Sequence, residues 1–307
     1  MTTTTDLPRP LRHDPAVRPA IHYDAARVRA RFPLLAAGDR TGDKAGAKPL
    51  AYLDSAATSQ KPDLVLDALV AYYRESYGAI ARGVYALSAE ATRLYEAARD
   101  QAARFLGAAA SEEIVFTRGT TEAINLVASS WGRANLAPGD EILVTGLEHH
   151  SNLVPWQLVA QATGARVRYL PIAEDGTLDL SGLDGLLTER TKVVAVTGQS
   201  NVLGTLPPIK FLAEAVHAVG AVIVVDGAQL VPHNPVDVLD LGIDFLTISG
   251  HKMLGPTASG GLYGKRELLE RMDPFLGGGE MIMEVFPDRS TFKDPPHKFE
   301  AGTMNIG

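Results

Sequence analysis

Two residues stand out for the chemistry they could do together. One is the acid Asp226, in Val224-Val225-Asp226-Gly227-Ala228-Gln229, and the other is the lysine Lys252, in Ser249-Gly250-His251-Lys252. Each follows an apolar run of strand length, Ala221 to Val225 for the first and Phe245 to Ile248 for the second. An acid ending one buried strand and a lysine just past the next can meet at the carboxyl edge of a sheet. A lysine amine forms a Schiff base with an aldehyde, and a carboxylate keeps a ring nitrogen protonated so that the ring accepts electrons. Pyridoxal phosphate (PLP) calls for both groups. Singly, the two residues read as a solvated surface lysine and a helix-capping acid; as a pair on successive strands they favour the cofactor.

Other strand ends carry the remaining polar groups. Ile114-Val115-Phe116-Thr117-Arg118-Gly119-Thr120-Thr121-Glu122 reads as strand, glycine turn and helix start, where backbone amides and the hydroxyls of Thr120 and Thr121 could hold a phosphate. An ordinary helix cap is the plainer reading, outweighed by the downstream lysine. Glu148-His149-His150-Ser151-Asn152 follows a further apolar run. Adjacent histidines point apart and no third ligand is evident, so no metal site is expected, and His149 reads instead as a ring stacked on the cofactor. Asn201 could bond the ring hydroxyl or a substrate carboxylate, and Gln229 the phenolic oxygen. Five strand ends thus converge on one crevice, where open α/β sheets bind ligands.

The elements that position these groups alternate from Leu50 to about Glu270. Strands are expected at Ile114 to Thr117, Glu141 to Thr145, Arg166 to Leu170, Val193 to Thr197, Ala221 to Val225 and Phe245 to Ser249, with a returning strand at Gly260 to Gly264. Helices are expected at Val65 to Tyr77, Ala89 to Leu106, Ala123 to Trp131 and Lys210 to Val219. Short apolar strands separated by helices mean an α/β fold, a mostly parallel sheet with helices on both faces. Residues 1–22, rich in Thr, Pro and Arg, read as a mobile tail. Residues 23–49 read as an N-terminal arm, with a helix around Tyr23 to Arg31 that stops before Pro33 and a loop from Gly38 to Pro49. Residues 50–307 then form the large domain, with a flexible glycine-rich stretch at Gly277 to Ile282.

Composition sets the outer bounds. Hydrophobic residues are 46% and charged residues 21% of 307, the proportions of a soluble globular protein. A net charge of -7 argues against nucleic acid or an anionic membrane as partner. No apolar run approaches the roughly 18 residues of a membrane span, and the N-terminus lacks a secretory signal pattern, so the cytoplasm is the expected location. There is no cysteine, which excludes disulfides, thiolate metal sites and a cysteine nucleophile within these residues.

Taken jointly, these motifs resemble the class V aminotransferase family of fold-type I PLP enzymes, and within it the SufS/CsdA group of cysteine desulfurases and selenocysteine lyases. The resemblance runs from about Tyr52 to Asn305. It rests on Tyr52-Leu53-Asp54-Ser55-Ala56-Ala57, Arg118-Gly119-Thr120-Thr121-Glu122, Glu148-His149-His150-Ser151-Asn152, Ser200-Asn201-Val202-Leu203-Gly204, Asp226-Gly227-Ala228-Gln229, Ser249-Gly250-His251-Lys252 and Phe299-Glu300-Ala301-Gly302-Thr303. It implies Lys252 as the Schiff-base lysine and Asp226 as partner of the ring nitrogen. It also implies His149 on the ring, Gln229 at its phenolic oxygen, Asn201 beside ring and substrate, and Thr120, Thr121, Ser249 and His251 around the phosphate. Gly302 and Thr303 are implied to reach the phosphate of a neighbouring subunit, in a homodimer with shared sites.

The implied activity is conversion of L-cysteine to L-alanine with an enzyme-bound persulfide, passed to a sulfur-acceptor protein in tasks such as iron–sulfur cluster assembly. A selenocysteine lyase, another class V enzyme with a different amino-acid substrate, and a catalytically silent PLP-binding scaffold are the alternatives. The chain departs from the family where histidines are usual, at Ala81, Tyr85 and Gly198, and also at Leu254, Ala258, Ser259 and Met304. Family members continue as a small C-terminal domain carrying the persulfide cysteine and a carboxylate-binding arginine. The expectation is therefore that Met1 to Gly307 is part of a longer protein, binds PLP weakly and is inactive alone.

Overall fold

The structure, a computed structural model, describes residues 23–37, 50–81 and 83–307. Strands β1 (Ile114–Thr117), β2 (Glu141–Thr145), β3 (Arg166–Leu170), β4 (Thr191–Thr197), β5 (Val222–Asp226), β6 (Phe245–Ser249) and β7 (Gly260–Gly264) form one seven-stranded sheet. Its order is β1-β7-β6-β5-β4-β2-β3. The strands from β3 to β6 pair in parallel, and β7 runs antiparallel between β6 and β1. Two antiparallel steps leave β1 pointing the same way as β6. The carboxyl ends of β1, β2, β4, β5 and β6 therefore share one edge.

Period-two alternation divides the core between the two faces of the sheet. Leu143, Val194, Val196, Ile223, Val225 and Leu246 pack into one apolar cluster. Their immediate neighbours Ile142, Val144, Val193, Ala195, Val224 and Phe245 pack into the other. Strands buried on both faces have no polar side, which is why they read as continuous apolar runs. The edge strand β3 differs: its Arg166 is exposed, and Arg168 reaches Glu141 on β2 at 3.1 Å. The expectation of wholly apolar strands fails there because an edge needs covering on one side only.

The helices hold to the sequence pattern with local changes. Asp24 caps α1 (Ala25–Arg29) by accepting the Arg27 amide at 2.9 Å, and Pro33 opens a second short helix, α2 (Pro33–Ala36), as well as ending the first. Helix α3 (Asp63–Ala71) continues as a π-helical turn, Tyr72–Ser76. Helix α4 (Ala86–Leu106) starts three residues before its expected first residue, Ala89, and ends at Gly107 with φ 70. Helix α5 (Thr120–Leu126) also starts three residues before its expected first residue, Ala123, and runs into a π-helical turn, Val127–Gly132. Beyond β7, a hairpin of β8 (Ile282–Val285) and β9 (Ser290–Phe292) follows the glycine-rich stretch. The expected tail at 1–22 and loop at 38–49 lie outside the described residues.

The turn between β1 and α5 depends on two glycines. Gly119 adopts φ 143, which only glycine takes readily. A Cβ on Gly260 of β7 would lie 2.5 Å from the Gly119 Cα and 2.5 Å from the Ile248 carbonyl oxygen. The absence of side chains there lets β7 draw the Thr120 turn down onto β6.

Candidate active site

A cavity of about 530 Å³ opens at the shared carboxyl edge. Its lining includes Thr120 and Thr121 after β1, His149 after β2, Asn201 after β4, Asp226 and Gln229 at β5, and Ser249, His251 and Lys252 at β6. All of the residues assigned from sequence gather here except Gly302 and Thr303. Gly302 borders a smaller cleft, and Thr303 a separate cavity beside Arg118, Phe299 and Met304.

Asp226 closes β5, its backbone in register with Thr197 on one side and Thr247 on the other. Only 4% of its surface is exposed. Burial raises its carboxyl above the usual range, opposed by the Ala228 amide at 2.9 Å and by the charge of Lys252. Burial lowers the Lys252 amine from its ordinary value, and the negative charge of Asp226 pulls it back. The two groups thus interact across the pocket floor, and the amine is easier to deprotonate than a surface lysine.

The side walls are oriented by hydrogen bonds. Nδ1 of His149 accepts the Ser151 amide at 3.1 Å, which leaves the ring proton on Nε2. The Ser151 hydroxyl lies 3.0 Å from the same nitrogen and 2.8 Å from the Thr121 hydroxyl. Ser249 accepts the Thr120 amide at 2.9 Å, while the buried Thr120 hydroxyl has no partner. Gln229 donates to the Ala56 carbonyl at 2.7 Å, so one of its two amide hydrogens is already committed.

Several contributors carried no mark in the sequence. The carbonyl of His251 receives four donors: the Ser59 amide at 3.0 Å, the Ser59 hydroxyl at 3.0 Å, the Thr58 hydroxyl at 3.2 Å and the Lys61 ammonium at 2.9 Å. Thr58 also lies 3.1 Å from Nδ1 of His251, and Ser59 accepts the Leu254 amide at 2.9 Å. Segment 58–61 therefore fastens the peptide immediately before Lys252. Burial lowers the Lys61 amine as well. Glu148 is another such residue, its carboxyl set between β2 and β4. Among the departures, a Cβ at Gly198 would lie 2.7 Å from Leu230 Cδ2, so Leu230 fills the space a side chain there would need.

The arrangement suits a phosphorylated pyridine aldehyde. It offers a half-buried amine for the aldehyde, a buried acid for the ring nitrogen, and an unpartnered buried hydroxyl at Thr120 among further hydroxyls for the phosphate. Among the described residues no group of His, Cys, Asp and Glu could hold a metal ion, and no helix is long and apolar enough to cross a membrane.

Comparison with known proteins gives the family. The model of the class V aminotransferases matches residues 51–307. A cysteine desulfurase of Pectobacterium atrosepticum is 53% identical over 286 residues, 93% of this chain and 69% of that protein. A probable cysteine desulfurase of Halalkalibacterium halodurans is 52% identical over 92% of this chain and 68% of its own length. Among solved structures, the cysteine desulfurase CsdA of Escherichia coli, in an S-sulfonic acid form, superimposes with a TM-score of 0.82 at 46% identity, over 92% of this chain and 68% of that one. The apo cysteine desulfurase of Thermococcus onnurineus gives 0.84 at 39% identity, over 92% and 67%. With a family model spanning most of its length and relatives about half identical to it, this chain belongs to the class V aminotransferase family.

Proposed function

We propose that the chain is a PLP-dependent cysteine desulfurase, taking L-cysteine to L-alanine and passing the sulfur to a thiol as a persulfide. The observation that carries this reading is Asp226 and Lys252 meeting in one pocket at the ends of adjacent parallel strands. Bound PLP supplies an aldehyde that takes up amino groups and a protonated ring that draws electrons from the substrate Cα. Lys252 holds the aldehyde and, once free, carries the Cα proton, a role suited to an amine lowered by burial. Asp226 keeps the ring nitrogen protonated, and the charge of Lys252 favours its ionised form. His149 presents its Nε2 proton, Gln229 and Asn201 orient ring and substrate, and Thr120, Thr121, Ser249 and His251 grip the phosphate. Gly302 and Thr303 serve the partner's site in a homodimer.

With no cysteine among its 307 residues, the thiol that takes the sulfur comes from outside them. The seven-stranded sheet that spans β1 to β7 supports reading residues 50–307 as one PLP-binding domain, preceded by the arm at 23–49 and the tail at 1–22. A cytoplasmic location and a sulfur-acceptor protein serving iron–sulfur cluster assembly complete the proposal. The test is to load the protein with PLP and supply L-cysteine in D2O with an added thiol. The Cα proton of cysteine should exchange, a step that needs only Lys252, Asp226 and the bound PLP. PLP binding with an unexchanged Cα proton would contradict the reading and favour a silent scaffold. Exchange of selenocysteine alone would favour the lyase.

A further inference from the structure

Glu148 immediately precedes His149, and its carboxyl meets three donors. Oε1 accepts the Thr145 hydroxyl at 2.5 Å and the Thr197 backbone amide at 2.7 Å, and Oε2 accepts the Asn152 side-chain amide at 2.6 Å. None of the three is free to turn away. The Asn152 Oδ1 accepts the Trp156 indole at 3.1 Å, with both residues fully buried. The Thr145 hydroxyl already receives the Leu147 amide at 3.2 Å. Thr197 is fixed by its strand, in register with Asp226. One side chain thus joins the ends of β2 and β4 next to Asp226, at the root of the loop that carries His149.

We propose that Glu148 is a positioning residue that locks the His149 loop onto the ends of β2 and β4 and so sets where His149 sits in the PLP pocket. The proposal rests on the PLP reading of that pocket. Its chemistry requires an acceptor at both ends of the side chain, which a carboxyl provides and an amide does not. With glutamine in one orientation the new N–H group faces the Asn152 donor, and in the other it faces the Thr197 donor. Asn152 can relieve the first clash only by flipping, which breaks its bond to Trp156. The protonated carboxyl avoids both clashes, because the Thr145 hydroxyl can accept its proton. Burial pushes Glu148 up to about 8, with the charge of Asp226 adding to the effect, so the protonated form is populated near neutrality.

Glu148→Gln combined with Asn152→Asp restores every bond. The introduced amide donates to one oxygen of the introduced carboxylate, whose other oxygen accepts the Trp156 indole. The experiment titrates PLP by absorbance into the wild-type chain, E148Q and E148Q/N152D, with ligand-free melting temperatures measured in parallel. E148Q should raise the Kd for PLP about tenfold, as expected for one buried donor left unpaired, and the exchange should return it to within about threefold of wild type. A folded E148Q with wild-type affinity overturns the proposal, as does a weakened E148Q that the exchange fails to recover. If E148Q does not fold, the exchange variant decides alone: folded and near wild-type affinity supports the proposal, and anything else overturns it. Failure of the PLP reading is seen separately, as a wild-type chain that takes no PLP.

Discussion

Arg99 of α4 and Glu300 form an ion pair at 2.7 Å with side chains only 2% and 5% exposed. Glu300 also accepts the Phe116 amide at 2.7 Å and the Tyr95 hydroxyl at 3.2 Å. The pair therefore anchors the segment that leads to Gly302 and Thr303 against α4 and β1. Glu300→Ala leaves the buried guanidinium with the Ile114 carbonyl at 2.7 Å and the half-exposed Glu96 in place of its buried counter-charge, and should cost about 3–5 kcal/mol of stability. Chemical denaturation measures it, and a loss below about 1 kcal/mol, the worth of a surface pair, would contradict the anchoring role.

Much of this architecture was legible in the sequence. Five central strands are buried on both faces, so their apolar runs, such as Val222 to Val225, gave their positions to within two residues. The hairpin of β8 and β9 was missed because its strands are four and three residues long and mostly exposed, leaving no apolar pattern to read. Lys252, Asp226 and His149 were legible because reactive side chains at strand ends have a recognisable chemistry. Ser59 and Lys61 were not, because they act on the backbone carbonyl of His251, which no residue type marks, and Glu148 was not, because its link to β4 is to the Thr197 backbone amide.

The four donors on the His251 carbonyl predict a local effect on the lysine turn. Ser59→Ala removes the hydroxyl that both donates to His251 and accepts the Leu254 amide. It should cost about 1–3 kcal/mol of stability through the unpaired amide. Hydrogen exchange should speed up at Met253 and Leu254 more than in β5. Unchanged protection at Leu254 would count against segment 58–61 as the fastening.

Glu148 makes the ligand-free protein sensitive to pH. Its folded-state value, raised to about 8, stands above the ordinary carboxylate value of the unfolded chain. The unfolded chain therefore releases this proton first. The stability contributed by the neutral buried acid is complete below about pH 4.5 and is lost as pH rises towards 8, with a slope of at most about 1.4 kcal/mol per pH unit. The difference in unfolding free energy between wild type and E148Q should follow that slope between pH 5 and 8, as glutamine does not titrate there. Parallel curves for the two proteins would show that Glu148 is ionised throughout.

The central claim, that Lys252 holds PLP beside Asp226, is tested most directly by trapping. The PLP-loaded protein is reduced with borohydride, digested, and its peptides are mapped by mass spectrometry, with Lys252→Ala treated alongside. The account predicts a phosphopyridoxyl group on the peptide containing Lys252, and loss of the long-wavelength PLP absorbance in Lys252→Ala. A label on Lys61 or any other lysine, or an unchanged absorbance in Lys252→Ala, would contradict it.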